Sequence, residues 1–412
     1  MRRVAITGIG IISGFGRGKE ATLAALRDGK SGVRLLTSID ASELNCRMGG
    51  EVPAVAHEGL MRGHDRFARF ALLAAEEAAQ EAGYDANAMD PHRVGVMIGT
   101  GLGGCETLDA NYKRLYRDGG TRFPPTAIAW TMYNAATSAV SIAYRAKAVS
   151  FAVVSACSSS AHSMGLACQA IRSGQADVMF AGGSDAPLVP GIIRAWESMR
   201  VLSIDNEHPE RACRPFSADR GGLVLAEGSA VFVLESFEHA NRRGARILGE
   251  VAGFGATSDA GHITDPSADG AARAMSMAVR DAGASPGDVG YINAHGTATS
   301  ANDVTETRAI KEVFGERAGR IPVSSTKSMH GHAMGASGAI EIACSLLAIN
   351  NGFVPPTINL ERPDPACDLD YVPEGARPAT VPLFLSNSFG FGGMNAVVAI
   401  RTAVAANLLS RT

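Results

Sequence analysis

Short apolar runs alternate with longer amphipathic stretches along this chain, and the alternation occurs twice. Val4-Ala5-Ile6 runs into Gly8 and Gly10, and far downstream Gly249-Glu250-Val251-Ala252 runs into Gly253 and Gly255. After each comes an alanine-rich pattern that predicts a helix ending in Ala-Gly, over 70–83 and 271–283. Each helix leads to an apolar run that predicts a strand stopping at a glycine turn, over 93–101 and 289–296. A third unit repeats as well. A strand over 150–155, a small-residue loop and a helix from about 159 to 172 are echoed by a strand over 321–325, a loop through Gly335 and a helix to about 350. The offset of about 245 residues is far too long for a solenoid and fits a duplicated α/β unit. Strands alternating with helices imply mostly parallel sheets covered by helices. The boundary falls where the basic helix end at Arg243 meets Gly244, dividing the chain into halves 1–243 and 244–412. Residues 200–220, polar and interrupted by proline, read as an irregular surface or active-site loop.

Composition narrows the class. The 412 residues are 46% hydrophobic and 19% charged, enough apolar material for one large or two medium cores. With 38 basic against 41 acidic residues and a net charge of −3, the chain carries no polybasic surface for nucleic acid or membrane. Seven scattered cysteines without a CxxC pair argue against a disulfide framework or zinc cluster and for a reducing, cytoplasmic setting. Gly8, Gly10 and Gly14 break the N-terminal apolar run, which therefore reads as a buried strand and not a signal peptide. No apolar stretch reaches about 18 residues, so membrane insertion is not expected.

Four clusters carry candidate chemistry, each just past a strand. Cys157, in Val154-Ser155-Ala156-Cys157-Ser158-Ser159-Ser160, opens a helix. There, unpaired backbone N–H groups and the positive dipole end favour a thiolate and can hold an oxyanion. The alternative is a small inert hydrophobe, as Cys168 is at core spacing with Met164 and Ile171. His295 ends Tyr291-Ile292-Asn293-Ala294, where α/β folds open their crevices, although a lone histidine there is as readily structural. Ser324-Ser325-Thr326-Lys327-Ser328-Met329-His330-Gly331-His332 packs a lysine and two histidines into six residues. Asn387-Ser388-Phe389-Gly390-Phe391-Gly392-Gly393 predicts a tight hairpin whose N–H groups turn toward a ligand. Gly99-Thr100-Gly101-Leu102-Gly103-Gly104 satisfies G-x-G-x-x-G after a strand, but no acidic residue ends a second strand about 20 residues on. It reads as a packing turn. Zinc is poorly supported, because Cys157, His295 and His332 lack ligand spacing.

Together the four clusters resemble the signatures of β-ketoacyl-acyl-carrier-protein synthases of the type I/II class, in that family's order and over nearly the whole chain. The resemblance implies a duplicated thiolase fold, five-layered αβαβα with two mixed sheets, and a decarboxylative condensation that extends a cysteine-bound acyl chain. It implies Cys157 as nucleophile, His295 and His332 as catalytic histidines, and Lys327 with Glu341 as their supporting charged pair. Phe391 matches the family's gating phenylalanine, with Phe389 beside it. Leu102 lies where members line the acyl pocket, and bulky Trp130 and Met132 stand near it. The implied partner is an acyl carrier protein, whose phosphopantetheine arrives with the substrate, so no resident cofactor or metal is expected. A homodimer is expected, with a heterodimer as the variant.

The chain also departs from the family pattern. His330 replaces threonine or serine, Met394 replaces threonine, Gly221 replaces aspartate, and Ile204-Asp205 stands at a basic carrier-docking position. Arg62, Arg66 and Arg69 offer a substitute basic patch. Residues 184–189 and 213–220 resemble nodulation-type and other specialised members. Two other functions compete with condensation. A non-catalytic subunit of a condensing heterodimer would lack the nucleophile, which is present here. A dinucleotide-dependent oxidoreductase would need the Gly99–Gly104 turn.

Overall fold

The computed structural model describes residues 2–53 and 63–403. Ten of its strands form two mixed five-stranded sheets built to one plan. In the first half the order is Val4–Ser13, Gly228–Ser236, Val178–Asp185, Val94–Gly99 and Ser150–Val153. In the second half it is Gly249–Ser258, Met394–Thr402, Leu383–Gly390, Tyr291–Asn293 and Val323–Ser324. Read in that order, successive pairs are antiparallel, antiparallel, parallel and parallel in both halves. The two sheets touch edge to edge where Ala5 pairs with Glu250 and Ile6 with Gly249.

Five layers result, as the resemblance implies. Helix Arg66–Ala82 covers the first sheet, and helix Ala268–Asp281, with Ser300–Phe314 packed beside it, covers the second. Between the sheets lie Ser159–Arg172 and Ser337–Asn350, each packed against strands of both halves. A helix so enclosed must be small or apolar on every side, and these two are dominated by Ala, Ser, Gly, Ile and Leu. Ser160 Oγ accepts the Ala339 N–H at 2.9 Å and ties one to the other.

Gly8, Gly10, Gly253 and Gly255, which at sequence level mark the ends of strands, lie in mid-strand, and the strands run on to Ser13 and Ser258. A Cβ on them would stand 2.0, 1.8, 2.2 and 2.1 Å from the carbonyl oxygens of Ala78, Ala74, Ala278 and Ala274. The missing side chains let each alanine-rich helix rest directly on its strand. The same device in both halves explains the echo in the sequence. The strands expected over 93–101 and 289–296 are shorter, Val94–Gly99 and Tyr291–Asn293, because the residues beyond turn away to build the site.

Two of the three arginines of the expected basic patch are engaged by carboxylates. Arg66 makes a paired contact with Glu227 at 2.9 and 2.6 Å, Arg69 bonds Glu106 at 2.5 Å, and Arg62 lies outside the described residues. These guanidiniums neutralise neighbouring carboxylates and offer no free positive face. All seven cysteines are free and buried. Among the described residues no helix is long and apolar enough to cross a membrane.

Candidate active site

Four loops converge at the ends of the parallel strands. After Val153 the chain turns through Ala156, held at φ 53°, and delivers Cys157 two residues before the central helix. Hydroxyls brace that turn: Ser158 Oγ donates to Ser155 O and Ser159 Oγ to Ala156 O, each at 2.7 Å. In the second half His295 follows strand Tyr291–Asn293, and its loop is pinned by Glu306, which accepts the N–H groups of His295 and Gly296 at 2.8 Å each. His332 is threaded beside the Val224–Ala226 segment through backbone bonds at 2.7 and 2.9 Å. The Cys157 sulfur and one nitrogen of each imidazole lie within 4.8 Å of one another. A thiol and two histidines separated by as much as 175 positions in the sequence thus share one pocket.

Lys327 organises this group. Its ammonium is fully buried and has three acceptors: His295 O at 2.7 Å, His295 Nδ1 at 3.3 Å, and Glu341 on the second central helix. An ammonium only donates, so Nδ1 of His295 must accept, and the ring's hydrogen is on Nε2. His332 is fixed the same way from another source. The Met334 N–H points at its Nδ1 at 3.2 Å, with Ser337 Oγ at 2.9 Å, again leaving the hydrogen on Nε2. Burial and the nearby Lys327 charge hold both imidazoles well below their ordinary pKa. The pocket therefore has two neutral N–H donors.

The thiol differs from the sequence-level expectation. Burial pushes Cys157 up to about 11, against the opposing pull of the Lys327 charge and the Phe391 N–H. Desolvation outweighs the helix-end effect that favours a thiolate. The Phe391 N–H reaches the sulfur because Gly390 lacks a side chain; a Cβ there would sit 2.8 Å from Ser155 O and 3.2 Å from Cys157 N. Phe389 packs its ring against His295 at 5.9 Å between centroids. Glu341 is raised to about 7 by burial, and its Oε2 meets no donor among the described residues.

A metal is the other occupant that such a triad invites. It would need bare Nε2 atoms, and moving either hydrogen to Nδ1 would aim an N–H at the Lys327 ammonium or the Met334 N–H. The donor set suits a developing oxyanion better.

A cavity of about 230 Å³ opens beside the triad, lined by Cys157, His295, His332, Phe389 and Phe391. Leu102 does not line it and instead packs in the aliphatic cluster behind Phe391. Trp130 and Met132 do not line it either: Trp130 is half-buried and Met132 is exposed on the outer surface next to helix Ala127–Thr131. Sequence reasoning missed Trp196, Thr297 and Thr299, which also form the wall. Thr297 and Thr299, whose hydroxyls are 2.8 Å apart, were marked by the run of threonines after His295, whereas Trp196 left no signal beyond its size. Glu306 was invisible because a buried carboxylate on a helix reads as an ordinary surface glutamate.

The glycine-rich turn after Val94–Gly99 wraps a carboxylate of its own chain. Asp185 accepts from Thr100 Oγ1, Gly101 N and Leu102 N at 2.7, 2.8 and 3.2 Å. The space a phosphate would need is filled, which removes the dinucleotide reading.

His330 is not part of the cavity lining. It is buried, with Nε2 3.1 Å from Thr326 Oγ1 and its ring at right angles to that of Phe15. Burial first, then the Lys327 charge, lowers it to about 3. From pH 6.5 downward the unfolded chain therefore takes up a proton that native His330 refuses, and stability is lost on acidification. In His330→Thr that loss should be absent. Paired denaturant melts at successive pH values should show the variant gaining on the parent by about 1.4 kcal/mol per pH unit below 6.5. Parallel curves would show that His330 is protonated in the native protein.

The beta-ketoacyl synthase N-terminal domain model matches residues 1–240, and the corresponding C-terminal domain model matches residues 248–361. The chain belongs to the β-ketoacyl synthase family. It is a condensing enzyme with the duplicated thiolase fold. It is 43% identical over 404 residues to nodulation protein E of Rhizobium sp. (strain N33), covering 97% of this chain and 99% of that one. Its identity to the 3-oxoacyl-[acyl-carrier-protein] synthase 2 of Coxiella burnetii is also 43%, over 97% and 98% of the two chains. The crystal structure of a beta-ketoacyl synthase from Burkholderia phymatum superposes with TM-score 0.90 at 34% identity, covering 98% of this chain and 100% of that one. A type II polyketide ketosynthase, solved in complex with its acyl-carrier protein and bound to the hexaketide, superposes with TM-score 0.90 at 36% identity over 97% and 99% of the chains. Within this site His330, three residues past Lys327, adds a third buried imidazole that feels the lysine's charge.

Proposed function

We propose that the chain joins an acyl group held on Cys157 to the two-carbon unit of malonyl-acyl carrier protein, giving 3-oxoacyl-acyl carrier protein, CO2 and free carrier protein. The observation that carries this reading is the pair of Nε2–H donors set by Lys327 and Met334 beside one sulfur. In the first step the Cys157 sulfur attacks the acyl thioester, and the phosphopantetheine thiolate leaves and takes up the proton. Malonyl-carrier protein then enters. The electron pair of its C–CO2 bond moves into the thioester to make an enolate, whose oxygen accepts hydrogen bonds from His295 and His332. The enolate carbon attacks the Cys157 thioester. The resulting oxyanion is held by the N–H groups of Cys157 and Phe391, and its collapse expels the sulfur. Lys327 and Glu341 position the histidines and transfer no proton. The carrier's own phosphopantetheine is the only prosthetic group this scheme requires. We assign 1–243 to the half bearing the nucleophile and 244–412 to the half bearing the histidines.

The purified chain, given acyl- and malonyl-carrier protein, should release CO2 and 3-oxoacyl product in equal amounts. Decarboxylation without product would favour a non-catalytic partner subunit, a reading opposed by the intact triad.

We further propose a homodimer formed along strand Ser150–Val153. It is a sheet edge, with Phe151 and Val154 exposed and with Ile142 and Ile128 exposed at 78% and 73%. An open edge flanked by apolar side chains is a surface that proteins cover. Met132 and Tyr133 lie exposed on the adjoining segment, so the partner copy would bury them. Light scattering should give twice the 42.7 kDa chain mass. Val154→Arg should shift the equilibrium toward monomer, and a parent that elutes as monomer at micromolar concentration would refute the dimer.

A further inference from the structure

We infer that Trp196 is a specificity-determining residue, the fixed half of an aromatic latch that controls which acyl chains pass from Cys157 into the apolar interior. The inference rests on the condensing reading above and extends it to the acyl substrate.

The indole of Trp196 and the ring of Phe391 are stacked, with centroids 5.5 Å apart and planes inclined by 28°. Both rings wall the cavity that contains the Cys157 sulfur. Both rings also belong to a packed apolar cluster with Leu188, Ile193 and Met334, and Leu102 packs against the same cluster. The stacked pair thus joins the wall of the thiol's cavity to apolar surroundings that suit a hydrocarbon chain.

The two rings are mounted differently. Trp196 belongs to helix Pro190–Ser198 and is 8% exposed. That helix is tied to its neighbours by Glu197, which accepts the Cys46 N–H at 2.8 Å, and by Arg194, whose guanidinium donates to Glu43 O. Phe391 sits in a single turn, Phe391–Gly393, with Gly390 before it and Gly392 and Gly393 after it at φ 78° and 71°. Space is open around Gly392, where an added Cβ would meet nothing within 4 Å. The turn is thus free to swing about its glycines. Its N–H contact to the sulfur and the Gly392 N–H bond to Ile263 O at 2.7 Å hold it closed. The stack on Trp196 adds the contact that a swing would break. An aromatic pair of this kind alters an open-to-closed ratio by about 2- to 10-fold. A short acyl group fits the existing cavity and leaves the latch shut. A longer chain must push Phe391 off the indole and run along the face it vacates.

The chain has two tryptophans, so a Trp130→Phe background leaves Trp196 as the only indole reporter. The full-length protein in that background is loaded with acetyl, hexanoyl or decanoyl groups from their carrier-protein thioesters. The mass adduct on Cys157 is recorded together with indole emission. Hexanoyl and decanoyl loading should shift or quench the emission, and acetyl loading should not. In the natural background, Trp196→Leu should raise the rate of decanoyl loading about 2- to 10-fold relative to acetyl loading, and Trp196→Phe should restore most of the parent's preference. A decanoyl adduct with unchanged emission overturns the latch alone, as does a Trp196→Leu variant whose rates fall equally for all three donors. Absence of any adduct on Cys157 overturns the condensing reading and the latch with it.

Discussion

Cys157→Ala is expected to leave no acyl adduct from any carrier-linked donor and to lower condensation by at least about 10⁴-fold, since Cys157 is the only thiol among the described residues that line the cavity. The fold should tolerate the change, because the side chain lost is one buried atom larger than its replacement. The two imidazole donors remain, held by Lys327 and Met334, neither of which depends on the sulfur. The variant should therefore still decarboxylate malonyl-carrier protein, releasing CO2 and acetyl-carrier protein with no extended product. Intact-mass spectrometry and CO2 release measure the two halves of the reaction separately. An adduct on the alanine variant would place the nucleophile elsewhere. Loss of decarboxylation together with loading would mean that the donor pair does not act independently of the thiol.

Lys327→Met should have the second largest effect, on both stability and rate. Removing one member of a fully buried ion pair leaves the other uncompensated, at a cost of about 3–5 kcal/mol. Glu341, already raised to about 7 with the ammonium beside it, would lose the positive charge that holds it that low. His295 would lose the donor that sets its tautomer, and its Nε2 would no longer be required to carry the hydrogen. Loss of one such oxyanion donor costs about 10²–10³ in turnover. Lys327→Met combined with Glu341→Leu separates the two effects. An apolar replacement of the whole pair should recover most of the denaturant stability and none of the turnover. A double variant that regained activity would show that the lysine serves the fold and not the histidine.

The architecture was legible because duplication left a double imprint of simple patterns. Alanine-rich helices ending in Ala-Gly, and strands carrying glycines at matched places, needed no coordinates to be seen as two copies. Their meaning did need coordinates. Gly8 and Gly253 read as strand ends, yet each lies under the helix that its missing Cβ admits. Periodicity records which face is apolar and is silent on how closely a neighbour approaches. The arginines at 66 and 69 read as a basic face for the same reason, since their carboxylate partners at 227 and 106 are remote in sequence or on another element.

The sequence by itself determined which side chains are available for chemistry: one thiol, two imidazoles and a lysine, each just past a predicted strand, in motifs distinctive enough to point to a family. Tertiary structure decided what those groups are. Only the meeting of Lys327 with His295 Nδ1, and of Met334 N–H with His332 Nδ1, sets both rings as donors. Only burial explains a thiol raised to about 11 where the helix end alone would lower it. Protonation and hydrogen-bonding roles depend on desolvation and on neighbours within a few ångströms, and such neighbours are brought together by folding from positions the linear order keeps apart. Trp196 against Phe391 is the same case, a contact between residues 195 positions apart that no local pattern encodes.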